Sequence, residues 1–279
     1  MSSARAVAEV KRLLPKRTRI GHTGTLDPLA SGLLVLLVGR ATRLSRYITG
    51  LHKSYTATAT LGATSDTLDA EGELSPLPGA PVPTEREIQA SIPSFTGDLH
   101  QLPPMASAVK VGGERLYKLH RRGETVERET RPVTVHSLAL VSYDPGVPSA
   151  TFELVCSSGT YVRTLISDLA SSLGTGAYLT ALRRTSVAHL DLQDAVHLED
   201  LSEPEIYNRI IPSSEVVSHL PVVEVGPQGR RGVCNGRPLE LEEDPAGGGS
   251  FRVEEAGELL AVYRFRDGAG RAEAVLCAG

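Results

Sequence analysis

A glycine-rich segment around a single carboxylate is the feature that most restricts how this chain can fold. Residues 21–32 read GHTGTLDPLASG, and the apolar run LLVLLV follows at residues 33–38. Pro28 disfavours the helical conformation at Asp27, and the flanking glycines permit tight turns. The apolar run has the length of a buried strand, which Gly39 would end. The segment predicts that Asp27 lies on a tight loop beside a buried sheet.

Asp27 has two interpretations on these grounds. An Asp that precedes a proline most often caps or closes a turn. A carboxylate held on a rigid loop can instead act as a nucleophile or a general base. The spacing by itself favours the turn and leaves the catalytic interpretation open.

The composition is that of an ordinary globular protein. The 279 residues are 41% hydrophobic and 22% charged, enough for one large domain or two. No stretch reaches the ~20 apolar residues of a transmembrane helix, and the N-terminus lacks the apolar core of a signal peptide. The three cysteines, Cys156, Cys234 and Cys277, are widely spaced. They indicate a reduced cytoplasmic protein and argue against a disulfide framework or a zinc site.

Charge is distributed unevenly along a chain whose net charge is −4. Residues 1–60 hold ten Lys and Arg against Glu9 and Asp27, a balance of +8, so the remaining residues total −12. A second basic stretch, residues 110–131, has seven Lys and Arg against four acids. Such local fields attract phosphate groups, although a solvated helix or hairpin has the same composition.

Hydrophobic periodicity predicts helices and strands in alternation. Helices are expected at residues 4–14, 41–48, 84–92 and 114–122, and another ends near residue 173. Strands are expected at residues 33–38, 54–62, 132–143, 150–156 and 185–190. The chain beyond residue 219 alternates short apolar segments with Gly and Pro, which indicates a small β-rich domain. The acidic loop 64–72 lacks the ligand spacing of a calcium loop, so no metal is predicted there.

The segment GHTGTLDPLASGLLVLLVGRATR resembles the signature of the TruB family of tRNA pseudouridine synthases, and the similarity extends over residues 2–190. The resemblance implies an α+β chain with the pseudouridine-synthase fold, a mixed, largely antiparallel sheet with flanking helices. It implies a catalytic domain at residues 1–215 with an RNA-gripping insertion at about 103–131. Residues 219–279 resemble the PUA-like C-terminal RNA-binding domain of such enzymes.

The resemblance also implies an activity. Members of the family convert uridine 55 in the TΨC stem-loop of tRNA to pseudouridine after extruding the base, with no cofactor and no metal. Asp27 would then be the nucleophile, Arg163 of the GTYVRT segment would pair with it, and Tyr55 would stack on the base and could transfer a proton. The residues implied in substrate binding are His22, Tyr55, Tyr161 and Leu182.

One difference from the family pattern bears on these expectations. Family members usually begin with an apolar strand that ends in Asp-Lys-Pro-x-Gly, and this sequence starts after that point. The main expectation is an enzyme that acts on tRNA in the cytoplasm as a monomer, with no obligatory protein partner. The alternative is a non-catalytic tRNA-binding or RNA-folding module, if the missing strand disables the site. The presence of Asp27, Tyr55 and Arg163 favours the enzyme.

Overall fold

The computed structural model describes residues 1–277, and within that range the chain forms eight α-helices and eighteen β-strands. The helices are α1 (Ser3–Arg12), α2 (Ser45–Thr49), α3 (Glu85–Ser91), α4 (Leu116–Arg121), α5 (Val162–Ser172), α6 (Glu203–Asn208), α7 (Ser213–Val216) and α8 (Pro227–Cys234). The strands are β1 (Ile20–His22), β2 (Ala30–Gly32), β3 (Leu36–Val38), β4 (Lys53–Leu61), β5 (Ala63–Ser65), β6 (Leu74–Pro76), β7 (Gly97–Gln101), β8 (Lys110–Val111), β9 (Glu114–Arg115), β10 (Arg131–Asp144), β11 (Ser149–Cys156), β12 (Ala177–Val187), β13 (Leu190–Asp191), β14 (Val222–Glu224), β15 (Leu239–Glu240), β16 (Ser250–Glu255), β17 (Glu258–Arg266) and β18 (Ala269–Val275).

The chain divides into two compact units. The first unit contains Met1–Thr25, Leu34–Thr49 and the described chain from Val196 onward. The second unit contains Leu26–Leu33 and Gly50–Ala195. The glycine-rich segment is therefore divided between the units, with Asp27 in the second.

A seven-stranded sheet forms the centre of the second unit. Its strand order is β13-β12-β4-β11-β10-β7, with every neighbouring pair antiparallel, and β2 adds to β12 in the parallel direction. The sequence of β4 alternates Thr with Ala, and Ala57 and Ala59 are fully buried on one face. The predicted mixed, largely antiparallel sheet is confirmed.

Helix α5 covers the buried face of this sheet. Leu165, Ile166 and Leu169 are at most 1% exposed and pack in one cluster with Phe152 and Leu154 of β11. Each such side chain contributes roughly 1.5–3 kcal/mol through removal of apolar surface from water. This core fixes the N-terminal end of α5 against the sheet.

The predicted helix at residues 84–92 is confirmed as α3. The side chain of Thr84 accepts a hydrogen bond from the backbone N–H of Glu87, and Glu87 accepts one from the backbone of Thr84. This reciprocal pair is a capping box, which satisfies two donors at the start of the helix. The sequence pattern and the structure therefore agree at the level of single hydrogen bonds.

In the first unit, α1 packs beside the hairpin of β1 and β3. Val10 and Leu14 are buried in a cluster with Ile206 of α6. Ile20 pairs with Val38 across the antiparallel hairpin. The helix predicted at residues 4–14 is confirmed, although the regular helix ends at Arg12.

A five-stranded sheet forms the C-terminal part of the first unit. Its order is β14-β16-β17-β18-β15, and β14 alone pairs in parallel, with β16. Phe251, Val253 and Tyr263 are fully buried and pack against Val233 of α8. The prediction of a β-rich C-terminal region is confirmed.

The apolar run at residues 33–38 is not one buried strand, so that prediction is wrong. Leu33 belongs to the second unit, where its N–H donates to the carbonyl oxygen of Arg184 (2.8 Å). Only Leu36–Val38 form a strand, and they pair in the first unit. Gly32 has φ +95°, and a Cβ there would lie 2.3 Å from the Arg184 carbonyl oxygen. The close approach of two backbones therefore requires glycine at this position.

The strand predicted at residues 185–190 begins earlier than expected. β12 starts at Ala177, and Leu182 and Arg184 lie inside it. These residues pair with β4 on one side and with β2 on the other, which extends the strand well beyond the local apolar pattern. Tertiary pairing has overridden the sequence signal here.

Two of the three cysteines form a disulfide, which corrects the expectation that the thiols stay separate. Cys234 ends α8, and Cys277 follows β18, which packs beside that helix; their Cα atoms lie 5.3 Å apart. Cys156 is a buried free thiol. Burial raises the pKa of Cys156 to about 11, so this thiol is unreactive at neutral pH.

Candidate active site

Asp27 lies on a tight turn in the second unit. The N–H of Ala30 donates to the Asp27 carbonyl oxygen (2.8 Å), and Pro28 occupies the second position of the turn, where its fixed φ is favourable. The chain then enters β2, which pairs with β12 through Leu182 and Ala30. The Asp27 side chain remains 40% exposed. The carboxylate is therefore held on a rigid turn and is open to a ligand.

Arg163, the second residue of α5, forms an ion pair with this carboxylate. Its Nε lies 3.0 Å from Oδ2 of Asp27, and its Nη1 lies 3.2 Å from Oδ2 of Asp69. Nη1 also donates to the carbonyl oxygen of Thr67 (2.6 Å), and Nη2 donates to that of Ala106 (3.0 Å). The side chain is only 4% exposed. Every nitrogen of the guanidinium is engaged, so its orientation is fixed.

Asp69 is the second carboxylate on this guanidinium, and the sequence analysis did not assign it a role. Its side chain is 5% exposed. Oδ1 accepts from the Thr67 hydroxyl (2.6 Å) and from the N–H of Glu71 (3.1 Å), which leaves Oδ2 for Arg163. Loop 64–72 carries three acids, Asp66, Asp69 and Glu71, without the spacing of metal ligands. That combination was the sequence signal for an ion-pair role.

A strained backbone supports this loop. Leu68 has φ +63°, a left-handed conformation that costs a non-glycine residue roughly 1–2 kcal/mol. Its N–H donates to the Ser65 carbonyl oxygen, and its own carbonyl accepts from Leu179 of β12. The strained residue directly follows Thr67, whose carbonyl oxygen binds Arg163. Backbone strain of this kind concentrates at functional sites.

Tyr55 lies on β4 next to a second buried arginine. Its Cα is the register partner of Arg184 on β12. Arg184 is 2% exposed, and its Nε donates to the carbonyl oxygen of Leu33 (2.8 Å). Burial raises the pKa of Tyr55, and hydrogen bonding and charge from Arg184 oppose that rise. The sequence analysis missed Arg184, which ties the end of the Asp27 loop to the strand that carries Tyr55.

Tyr161 and Leu182 also belong to this unit. Gln101, 2% exposed, holds the Tyr161 backbone from both sides: its Oε1 accepts from the Tyr161 N–H (2.9 Å) and its Nε2 donates to the Tyr161 carbonyl (3.3 Å). Leu182 is buried in the same apolar cluster against which Tyr55 packs. Sequence inspection gave no sign of the role of Gln101, because its partner lies 60 residues away.

His22 falls in the first unit, at the end of β1. Its Nδ1 accepts a hydrogen bond from the N–H of Gly24 (3.3 Å). The N–H of Thr23 donates to the Val35 carbonyl oxygen (3.1 Å). These bonds hold His22 in a fixed turn of the glycine-rich segment.

The insertion at residues 103–131 folds over a small core of its own. Met105, Leu116 and Leu119 are buried together. Nε2 of His120 lies 3.1 Å from Oδ2 of Asp66, which joins α4 to the loop that carries Asp69. His120 therefore links the basic stretch to the segment that positions Arg163.

The chemistry available at this site is that of a carboxylate fixed by a cation. The guanidinium of Arg163 fixes the position of the Asp27 carboxylate, a group that can act as a nucleophile or a base. Among residues 1–277 no group of three or more His, Cys, Asp or Glu side chains is arranged to hold a metal ion. Within the same range, no helix combines the length and apolar character that a membrane crossing requires.

Sequence comparison decides the family. The profile described as "TruB family pseudouridylate synthase (N terminal domain)" matches residues 11–162, and that of the "tRNA pseudouridylate synthase B C-terminal domain" matches residues 163–217. The chain belongs to the TruB family. This result confirms the family that the glycine-rich segment predicted.

Individual TruB relatives are similar over most of their length. A protein of Burkholderia lata named tRNA pseudouridine synthase B is 43% identical over 276 residues, covering 96% of this chain and 84% of that protein. A protein of the same name from Opitutus terrae is 50% identical over 210 residues, covering 74% of this chain and 86% of that protein.

Solved structures agree on the fold. The chain in the crystal structure of a Cbf5-Nop10-Gar1 complex matches with a TM-score of 0.74 at 24% identity, covering 100% of this chain and 82% of that chain. A chain in the archaeal box H/ACA sRNP Nop10-Cbf5 complex matches with a TM-score of 0.72 at 23% identity, over 100% and 83% of the two chains. The pseudouridine-synthase fold predicted for this TruB chain is confirmed.

Proposed function

We propose that this protein isomerises uridine to pseudouridine at position 55 in the TΨC stem-loop of tRNA. The observation that carries the proposal is the ion pair between the half-exposed Asp27 and the buried Arg163 (3.0 Å), on a turn that leaves the carboxylate accessible. The names of the TruB relatives support tRNA as the substrate class.

The proposed reaction rearranges one nucleoside without net redox change. The bond between C1′ and N1 breaks, the uracil turns, and a bond between C1′ and C5 forms. The proton on C5 is lost to solvent, and N1 ends the reaction protonated. No electron or phosphoryl group is transferred, so the reaction calls for neither a redox cofactor nor a phosphoryl carrier. Asp27 is the proposed nucleophile, and Arg163 orients its carboxylate.

The target base must leave its stack before it can react. Tyr55 supplies an aromatic face for the extruded uracil, and its hydroxyl is the proposed carrier of the C5 proton. Tyr161 and Leu182 are the proposed walls of the uridine pocket. His22 is the proposed RNA contact that helps to hold the extruded conformation.

The grip on RNA is proposed to come from two further regions. The insertion at residues 103–131 carries the basic stretch described above. Residues 219–279 are the proposed PUA-like RNA-binding domain, and residues 1–215 are the proposed catalytic domain. The proposal includes action as a monomer in the cytoplasm, without an obligatory protein partner. Phosphate contacts from such regions would make tRNA binding strongly dependent on salt.

The test is release of tritium from a tRNA transcript that carries 5-tritiated uridine. The parent chain should release tritium from one uridine of the TΨC loop. Asp27→Asn keeps the size of the side chain and removes its charge, so turnover should fall roughly 10³-fold or more. Binding of the transcript, measured by filter retention, should change little because RNA affinity rests mainly on phosphate contacts.

Asp144→Asn is the matched control. Asp144 lies at the end of β10, where it accepts from the N–H of Gly146 (2.9 Å), away from the groups assigned to the reaction. This variant should retain the parent's tritium release. Tight binding of the transcript without any release by the parent chain would refute the enzyme and leave an RNA-binding module.

A further inference from the structure

A cavity of about 450 Å³ in the first unit has a strongly basic lining. The residues around it are Lys11, Arg17, Thr18, Arg19, Ile20, Gly21, His22, Leu37, Thr42 and Ser45. Three permanent cations and three hydroxyls face one space that no carboxylate lines. The lining also lacks Phe, Tyr and Trp, so it offers no broad aromatic surface for a nucleobase. Its chemistry is that of an anion site.

The three cations are not neutralised by neighbours. No carboxylate of the described chain lies within 4.0 Å of Lys11, Arg17 or Arg19. Arg12, the next residue to Lys11 on α1, provides a contrast, because its Nη1 lies 2.7 Å from Oε2 of Glu9. Unpaired cations around a concave surface raise the local concentration of anionic ligands.

The backbone around Arg17 is held in an uncommon conformation. Arg17 has φ +71°, in the left-handed region that costs a non-glycine residue roughly 1–2 kcal/mol. The turn is closed at Thr18, whose N–H (3.1 Å) and hydroxyl (2.7 Å) both donate to the Pro15 carbonyl oxygen. The strained turn brings Arg17 and Arg19 to the same cavity as Lys11 of the preceding helix.

We propose that this cavity binds a backbone phosphate of the tRNA substrate. The proposal rests on the proposed function for the identity of the ligand and adds a specific anchoring site to it. Lys11, Arg17 and Arg19 are exposed, which suits a phosphodiester that stays linked to a larger chain. The contact positions the RNA and reads no base.

The test compares the double variant Arg17→Ala/Arg19→Ala with Arg12→Ala. Dissociation constants for an unmodified tRNA transcript are measured between about 50 and 200 mM salt. Loss of this phosphate contact should weaken binding at low salt and reduce the slope of log K against log salt by about one. Arg12→Ala removes a nearby cation that Glu9 already neutralises, so its affinity and slope should match the parent's.

Two further readouts separate the possible results. Tritium release at saturating enzyme reports the chemical step, and the double variant should keep the parent's single-turnover rate. If the parent releases tritium but the double variant binds tRNA with the parent's affinity and slope, the phosphate site is refuted and the proposed function stands. If the parent binds without releasing tritium and the double variant still weakens binding, the site stands and the proposed function fails.

Free inorganic phosphate has the same chemistry as a backbone phosphate of tRNA, so the two ligands must be distinguished. Titration of the parent with inorganic phosphate, followed by calorimetry, measures whether the cavity binds a small ion alone. Phosphate binding that the double variant abolishes, together with unchanged tRNA binding by that variant, would overturn the assignment to RNA. Competition between millimolar phosphate and tRNA in the parent, absent in the double variant, would support it.

Discussion

Two arginines of the second unit each bind two carboxylates, but one arginine is buried and the other is exposed to solvent. Arg163 is 4% exposed and contacts Asp27, Asp69 and two carbonyl oxygens. Arg122, on the insertion, is 46% exposed and contacts Glu114 (2.7 Å) and Glu124 (2.6 Å). The distances are similar, so distance alone does not distinguish a functional ion pair from a surface one.

The difference lies in what surrounds each guanidinium. Water competes with Glu114 and Glu124 for Arg122, so these exposed ion pairs can break at little cost in free energy. Arg163 and Asp69 have lost their water, so each depends on the other to offset the cost of burial. The buried arrangement is therefore specific and fragile, whereas the exposed one is replaceable. Four substitutions test the contrast between buried and exposed charges, from the largest expected effect to the smallest.

Replacing Arg163 with Met should have the largest effect. The variant leaves Asp69 buried without its cation, which costs roughly 3–5 kcal/mol of the free energy of unfolding. Turnover should also collapse, because Asp27 loses the group that orients it. Urea denaturation measures the first effect and tritium release the second.

Asp69→Asn separates the two effects of the Arg163 substitution. The amide keeps the shape of the carboxylate and leaves Arg163 paired with Asp27, so the loss of stability should be smaller than for Arg163→Met. A misplaced Arg163 should nonetheless reduce turnover, by up to about 10²-fold. Equal turnover in Asp69→Asn and the parent would show that Asp69 serves stability alone.

Replacing Lys53 with Met tests how a buried cation makes the free energy of unfolding depend on pH. Burial, with the nearby Arg184, lowers the pKa of Lys53 from its ordinary 10.5 to about 8. Between pH 8 and 10.5 the unfolded chain holds a proton that the folded chain has released, so this group makes stability rise with pH in that window. The unfolding free energy of the parent minus that of Lys53→Met should therefore increase from pH 8 to pH 10. A flat difference would contradict the shift.

Replacing Arg122 with Ala should have the smallest effect. The variant frees two exposed glutamates that water can solvate at once, so the midpoint of thermal unfolding should fall by about 3 °C or less. Differential scanning calorimetry at low and high salt measures this change, and any difference should shrink as salt rises. A fall as large as that of Arg163→Met in the same calorimetric measurement would show that burial does not distinguish the two pairs.

Elements set by local chemistry could be predicted from the sequence. The capping box of α3, the alternation of β4 and the amphipathic α1 all depend on residues a few positions apart. The strand boundaries at residues 33–38 and at β12 could not be predicted from the sequence. Partners far along the chain decide where those strands start and end.

The candidate site was predictable only in part for the same reason. Asp27 stands out because its neighbours are unusual, but Arg163 was linked to it by family resemblance rather than by spacing. Asp69, Gln101 and Arg184 are ordinary polar residues in their local sequence, and their importance arises from distant partners. The bond between Cys234 and Cys277 is likewise set by the packing of α8 beside β18.

The parallel pairing of β2 with β12 also sets the order of events during synthesis. Asp27 meets Arg163 across 136 residues, and Leu33 meets Arg184 across 151. A ribosome that adds about 5–20 residues per second needs roughly 7–30 s to make the intervening chain. During that interval the nascent protein carries its glycine-rich segment without the partners that hold it, so the site is assembled only after most of the chain has been made.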